Sequence, residues 1–152
     1  MPIPEKVRAA LASFGKEALE FEPGSTPTVA SAAARLGVEP GQIAKSLLFK
    51  GKRGDYHMVV CSGDKRISSS RLKLLMGSKP GMTDPAETEA VTGFLPGGVC
   101  PFGLRDVSVW IDSSLEAWPQ VYPAAGTDGS AVRMDYASLL EVTGGKSCSV
   151  AD

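Results

Sequence analysis

The chain is 152 residues long, with 43% hydrophobic residues, 22% charged residues and a formal net charge of −1. Those values fit one ordinary core and argue against a disordered polymer or a generally basic nucleic-acid binder. No apolar run approaches the ~20 residues that cross a bilayer. The N-terminus has no basic segment followed by an apolar one, so a single cytoplasmic domain over residues 1–152 is expected, with no membrane partner.

Helical spacing of Val7, Leu11 and Phe14, with Pro4 in a first turn, predicts a helix over 4–18. Residues 19–22 alternate like a short strand, closed by Pro23-Gly24. Thr26-Pro27 opens an alanine-rich helix that stops at Gly37. Residues 46–50 and 56–61 read as a hairpin around the turn Gly51-Lys52-Arg53-Gly54. Ser69–Met76 reads as a short basic amphipathic helix ended by Gly77, and Asp84 caps a helix running to Gly93. A glycine-rich loop follows, then a strand over 107–111 and one helical turn over 113–117. Short strands over 121–122 and 131–134 precede a closing helix capped by Asp135. The tail from Gly144 is small and polar and is expected to fray. Short strands and helices interleave without a βαβ rhythm or a repeat. The expected class is therefore α+β, with a mixed, strongly curved, barrel-like sheet and several short flanking helices.

Charge is unevenly spread. Between residues 45 and 79 stand nine basic residues against Asp55 and Asp64, a local excess of seven positive charges. Such a field can steer a polyanion, or it can be a solvated face balanced elsewhere. Lys45 lies inside the apolar run Ile43-Ala44-Lys45-Ser46-Leu47-Leu48-Phe49. It can hold a carboxylate, phosphate or carbonyl oxygen, or its stem can pack while its ammonium reaches water. The loop Gly97-Gly98-Val99-Cys100-Pro101-Phe102-Gly103 holds three glycines and a proline. It can cradle an oxygen with backbone N–H groups, or simply connect a helix to a strand. Gly63-Asp64-Lys65 is either a second wall of such a site or a plain turn.

The three cysteines, Cys61, Cys100 and Cys148, show no C-x-x-C spacing, and His57 is the one histidine. Neither a disulfide framework nor a His-rich metal site is indicated. A Cys100 nucleophile would need His57 beside it, so a packed thiol is the simpler reading, with His57 a surface strand residue.

Three segments together resemble the YbaK/prolyl-tRNA editing family. They are residues 28–49, with Lys45-Ser46-Leu47-Leu48; residues 59–75, a strand, a turn and a Leu/Lys helix; and Val91-Thr92-Gly93-Phe94-Leu95-Pro96-Gly97-Gly98-Val99-Cys100-Pro101-Phe102-Gly103, running into Val109-Trp110-Ile111-Asp112. The resemblance spans roughly residues 20–142. It implies a trans-acting hydrolase that deacylates mischarged tRNA, most readily tRNA(Pro) carrying cysteine, alanine or 2-aminobutyrate. Such a site has a purpose, because a proline pocket rejects a smaller residue by only ~1–3 kcal/mol.

By the same resemblance Lys45 is the essential lysine. Ser46, Gly63, Gly97, Gly98, Val99, Cys100, Pro101 and Phe102 line the substrate pocket. Lys50, Lys52, Arg53, Lys65, Arg66 and Arg71 meet the RNA. Water or a group of the substrate attacks, with no metal and no cofactor, and prolyl-tRNA synthetase is a possible partner. Two departures leave the amino acid open. Ser46 stands where cysteine-type members have threonine and alanine-type members have asparagine. Gly129-Ser130-Ala131-Val132 lacks the carboxylate of a Gly-Leu-Asp motif. A non-catalytic module binding tRNA or a synthetase, and a thiol hydrolase using Cys100, are the alternatives.

Overall fold

A computed structural model describes residues 2–152. Five helices and eight strands follow in chain order: α1 Glu5–Ala12, β1 Leu19–Glu20, α2 Val29–Leu36, β2 Ile43–Lys50, β3 Tyr56–Ser62, α3 Ser69–Met76, β4 Gly81–Met82, α4 Pro85–Thr92, β5 Val107–Asp112, β6 Tyr122–Pro123, β7 Ser130–Ala131, α5 Tyr136–Thr143 and β8 Lys146–Cys148.

Side-chain caps fix where four helices begin. Thr28 and Ser31 form a reciprocal capping box on α2, and Ser68, Asp84 and Asp135 each accept an N–H of their own first turn. The second helix therefore starts after Thr28, two residues later than Thr26 suggested.

The main sheet runs β4-β2-β3-β5-β8, with β6 also paired to β2. The hairpin of β2 and β3 is antiparallel and sets Lys45 opposite Cys61. Strands β3 and β5, and β5 and β8, pair in parallel. A separate two-stranded ladder joins β1 to β7.

The barrel-like expectation is corrected: the sheet is open, and neither sheet closes on itself or curls strongly. A barrel needs a staggered ladder that returns to its first strand. Here the two edges are carried by strands of two or three residues, and β8 never meets β4 or β6.

The tail does not fray either. It supplies β8, buries Val150, and exchanges backbone hydrogen bonds between Arg66 and Asp152. The buried Asp112 carboxylate accepts from the N–H groups of Val150 at 2.7 Å and Ala151 at 3.2 Å. Backbone pairing needs no particular side chain, so a small polar tail can still be fixed.

The alternation of β2 feeds two cores. Ala44 and Leu48 join the main cluster with Val7, Met58, Phe94, Phe102 and Ile111. Phe49 turns to the other face, where Leu72 of α3 packs with Val59 and Val150. Burying Leu72 contributes about 1.5–3 kcal/mol. Helix α2 lays Ala32 and Ala33 on Ile43, with Tyr122 alongside.

The outer edge of β2 is only partly covered. Strand β6 pairs with Ile43 and Ala44, and β4 pairs with Phe49 and Lys50. No strand pairs with Lys45–Leu47 on that side, and this gap positions the site.

Candidate active site

A cavity of about 170 Å³ opens beside the uncovered edge of β2. Strand β2 supplies Ile43, Ala44, Lys45 and Ser46 to its wall. The cap and first turns of α2 add Thr28, Val29 and Ala32, and the glycine loop adds Gly97 and Val99. Tyr122, Ala124, Ser130 and Ala131 complete it from the opposite side. Most of the wall is small and apolar, so its volume suits a short side chain.

Lys45 is half-buried. Its Nζ donates to the Gly63 carbonyl at 3.4 Å and to the Lys65 carbonyl. An ammonium has three N–H bonds, so one is left to meet a ligand. The turn after β3 thus holds the lysine through backbone oxygens, and among the described residues no carboxylate pairs with it. Next to it, the Ser46 Oγ is buried with no hydrogen-bond partner. A buried hydroxyl without a partner is costly unless something else supplies one.

The two central glycines of the loop face different ways. Gly97 has φ +88°, and a Cβ there would lie 3.1 Å from Pro27. It sits on the cavity wall. Gly98 is buried, and a Cβ there would come within 2.8 Å of the Gly126 and Thr127 backbone. It borders a second hollow of about 250 Å³ on the far side of the loop, with Pro4, Leu95 and Asp128.

Of the expected substrate residues, the structure brings Lys45, Ser46, Gly97 and Val99 to one cavity and sets Gly63 against the lysine. Cys100, Pro101 and Phe102 lie buried behind the wall and do not line it. Desolvation pushes the Cys100 thiol up to about 12. Burial also raises Cys61 to about 11, although the neighbouring Lys45 charge pulls the other way. Neither thiol is poised as a nucleophile.

His57 is buried at 7% exposure, not a surface residue as expected. Trp110 Nε1 donates to its Nδ1 at 3.0 Å, and its Nε2 lies 2.6 Å from Asp55 Oδ2. Tryptophan can only donate, so Nδ1 accepts and the Nε2–H donates to Asp55. That hydrogen bond holds the Asp55 carboxyl below its ordinary range. Both ring nitrogens are used, and His57 lines none of the cavities described here.

The six basic residues expected at an RNA surface form two groups. Lys65 and Arg66 are exposed on the turn that holds Lys45, and Arg71 is exposed on α3 nearby in sequence. Lys50, Lys52 and Arg53 lie at the other end of the hairpin, roughly 17 Å or more along β2 from Lys45. Lys50 is also partnered, 3.2 Å from Glu87.

The lining residues that sequence reasoning missed are Thr26, Pro27, Thr28, Val29 and Ala32 around the start of α2, Ile43 and Ala44 on β2, and Tyr122, Ala124, Ser130 and Ala131. The capping pair Thr28 and Ser31 was a local signal for where α2 starts, but nothing local aims that end at β2. Among the described residues, no cluster of three His, Cys, Asp or Glu side chains could hold a metal ion. No helix is long and apolar enough to cross a membrane.

A family model of the aminoacyl-tRNA editing domain matches residues 23–142. YwhH of Bacillus subtilis, a protein of uncharacterised role, is 37% identical over 140 residues, covering 90% of this chain and 88% of YwhH. EbsC of Enterococcus faecalis, named as a candidate Cys-tRNA(Pro)/Cys-tRNA(Cys) deacylase, is 25% identical over 118 residues. That match covers 76% of this chain and 72% of EbsC. A crystal structure of a candidate trans-editing enzyme for prolyl-tRNA synthetase superposes with a TM-score of 0.88 at 31% identity, over 99% of both chains.

Proposed function

This chain belongs to the aminoacyl-tRNA editing domain family, and from that premise we propose that it clears tRNA(Pro) of a small amino acid attached in error. It is an aminoacyl-tRNA deacylase, a hydrolase of translation quality control. Its substrate class is mischarged tRNA; proline tRNA as the carrier, and the cytoplasm as the place, are part of the proposal. The names of EbsC and of the structural neighbour support the tRNA(Pro) reading.

The observation that carries the reading is one shared cavity. It brings Lys45, Ser46, Gly97 and Val99 to one small, mostly apolar hollow. In the proposed reaction the amino-acid side chain enters among Val29, Ala32, Ala44 and Ala131, where only a short group fits. The free N–H of Lys45 meets an oxygen at the ester end, a phosphate or the carbonyl, and holds the bond in place. Backbone N–H groups of the loop stabilise negative charge as it develops on the ester oxygen. Water, or a group on the substrate, attacks the carbonyl carbon and releases the terminal ribose hydroxyl with a proton. No cysteine lines the cavity, so the reaction uses no thiol nucleophile. Lys65 and Arg66, beside the same turn, meet the phosphates that lead to the terminal nucleotide.

The test is a substrate panel. The protein is incubated with tRNA(Pro) charged in turn with alanine, cysteine, 2-aminobutyrate and proline, and loss of label is followed. At least one small amino acid is released while proline is retained. Release from none of them by a folded protein returns the non-catalytic binding reading.

A further inference from the structure

A third hollow adjoins the cavity, and nothing in the reaction above uses it. Its volume is about 440 Å³, and Glu17, Leu19, Leu36, Tyr122 and Arg133 bound it. Tyr122 lines both hollows, which makes it a residue they share.

The backbone explains the arrangement. Val121 and Met134 exchange hydrogen bonds of 2.7 and 3.1 Å, and Val132 N–H donates to the Pro123 carbonyl at 2.9 Å. That antiparallel register sets Tyr122 opposite Arg133. Directly opposed residues share a face, with β-carbons about 4.5–5.5 Å apart. Leu19 is 43% exposed, so its side chain is open to a ligand in the cleft. Among the described residues neither Glu17 nor Arg133 enters an ion pair.

The chemistry of this lining selects its ligand. A phosphate alone would use the guanidinium and leave the leucines and the ring wet. An apolar ligand would leave Glu17 and Arg133 without partners. A purine base uses all of them, because its flat face packs on the aromatic ring and the leucines. Its amino group donates to a carboxylate, and its ring nitrogens accept from a guanidinium. The volume lies within the ~300–1,000 Å³ of small-ligand sites. An aminoacylated RNA end also needs a base site next to its amino-acid site, since one ribose separates the two groups.

Resting on the function proposed above, we infer that the groove between Tyr122 and Arg133 binds the purine base of the terminal nucleotide.

The experiment is an NMR titration of the whole protein with adenosine 5′-monophosphate and, separately, with ribose 5-phosphate. The two probes differ only in the base. The nucleotide is expected to shift the amide resonances of Leu19, Leu36 and Arg133 saturably, and ribose 5-phosphate to leave them in place. Arg133→Ala and Leu19→Ser alter exposed side chains, and the spectrum itself reports whether each variant is folded. Each is expected to weaken nucleotide binding about fivefold or more. Equal shifts with both probes, or nucleotide shifts confined to Lys45 and Gly97, overturn the inference. Wild-type protein that binds the nucleotide in the groove yet releases no amino acid from the charged tRNA panel would refute the deacylation reading and leave the base site standing.

Discussion

Lys45 on β2 and His57 on β3 belong to one hairpin, and each sits among residues that could carry chemistry. Their surroundings differ. His57 has both ring nitrogens engaged, one by Trp110 and one by Asp55, beneath a packed apolar cluster. It has the appearance of a catalytic relay and no space in which to use it. Lys45 is held by two carbonyls, keeps one N–H, and borders a cavity with an unpartnered hydroxyl beside it. A reactive residue type therefore says less than access and an unfilled hydrogen bond. Under the proposed function activity belongs to Lys45 and stability to His57, and substitutions can break that division.

The largest effect is expected at Lys45. Lys45→Ala removes the free ammonium N–H and should lower single-turnover deacylation about a hundredfold or more, with a thermal midpoint close to wild type. His57→Leu should do the reverse. It strands the Trp110 N–H and the Asp55 carboxylate, costing about 1–3 kcal/mol by denaturant titration, while the rate per folded molecule stays within about twofold.

The same cluster gives a pH signature. Asp55 has a lowered value in the fold, so its contribution is present above its ordinary 3.8 and is lost as pH falls through the lowered value. His57→Leu should flatten that acid limb in a stability profile. Cys100 has a raised value, so its contribution is complete below 9.0 and is lost as pH rises toward about 12.

Two substitutions near the cavity sharpen the comparison on a smaller scale. Gly98→Ala forces a methyl against the Gly126 and Thr127 backbone, and should cost about 1–3 kcal/mol of stability. Ser46→Ala deletes an unpartnered hydroxyl. It should change folding stability by no more than about 0.5 kcal/mol, so any change in the preferred amino acid can be read without a folding correction. No effect at all is expected from iodoacetamide near neutral pH. The Cys100 thiol is buried and protonated, and activity lost in step with its labelling would favour a thiol mechanism.

Much of this was legible in the chain because it is local. Leu72 and its helical spacing, the caps at Asp84 and Asp135, and the turn between Lys50 and Tyr56 need only near neighbours. Lys45 and the glycine loop also stood out, as a charge among apolar residues and as too many glycines for a connection. What was not legible depends on long-range pairing. The open sheet follows from edge strands of two or three residues, whose partners lie far away in sequence. The ordered tail depends on Asp112 accepting from Val150 and Ala151. The opposite wall of the cavity, Ser130 and Ala131, reaches Lys45 only because β7 pairs with β1 and the chain folds back. Cys100 was misleading for the same reason: its loop is exposed by composition, yet packing turns the thiol inward.

The most direct measurement is a structure with a stable analogue, an aminoacyl-adenosine whose ester is replaced by an amide. The account predicts its amino-acid side chain among Val29, Ala32, Ala44 and Ala131, with the lysine ammonium on an oxygen next to the amide. An analogue bound beside His57 or Cys100, with the Lys45 cavity left empty, would contradict it.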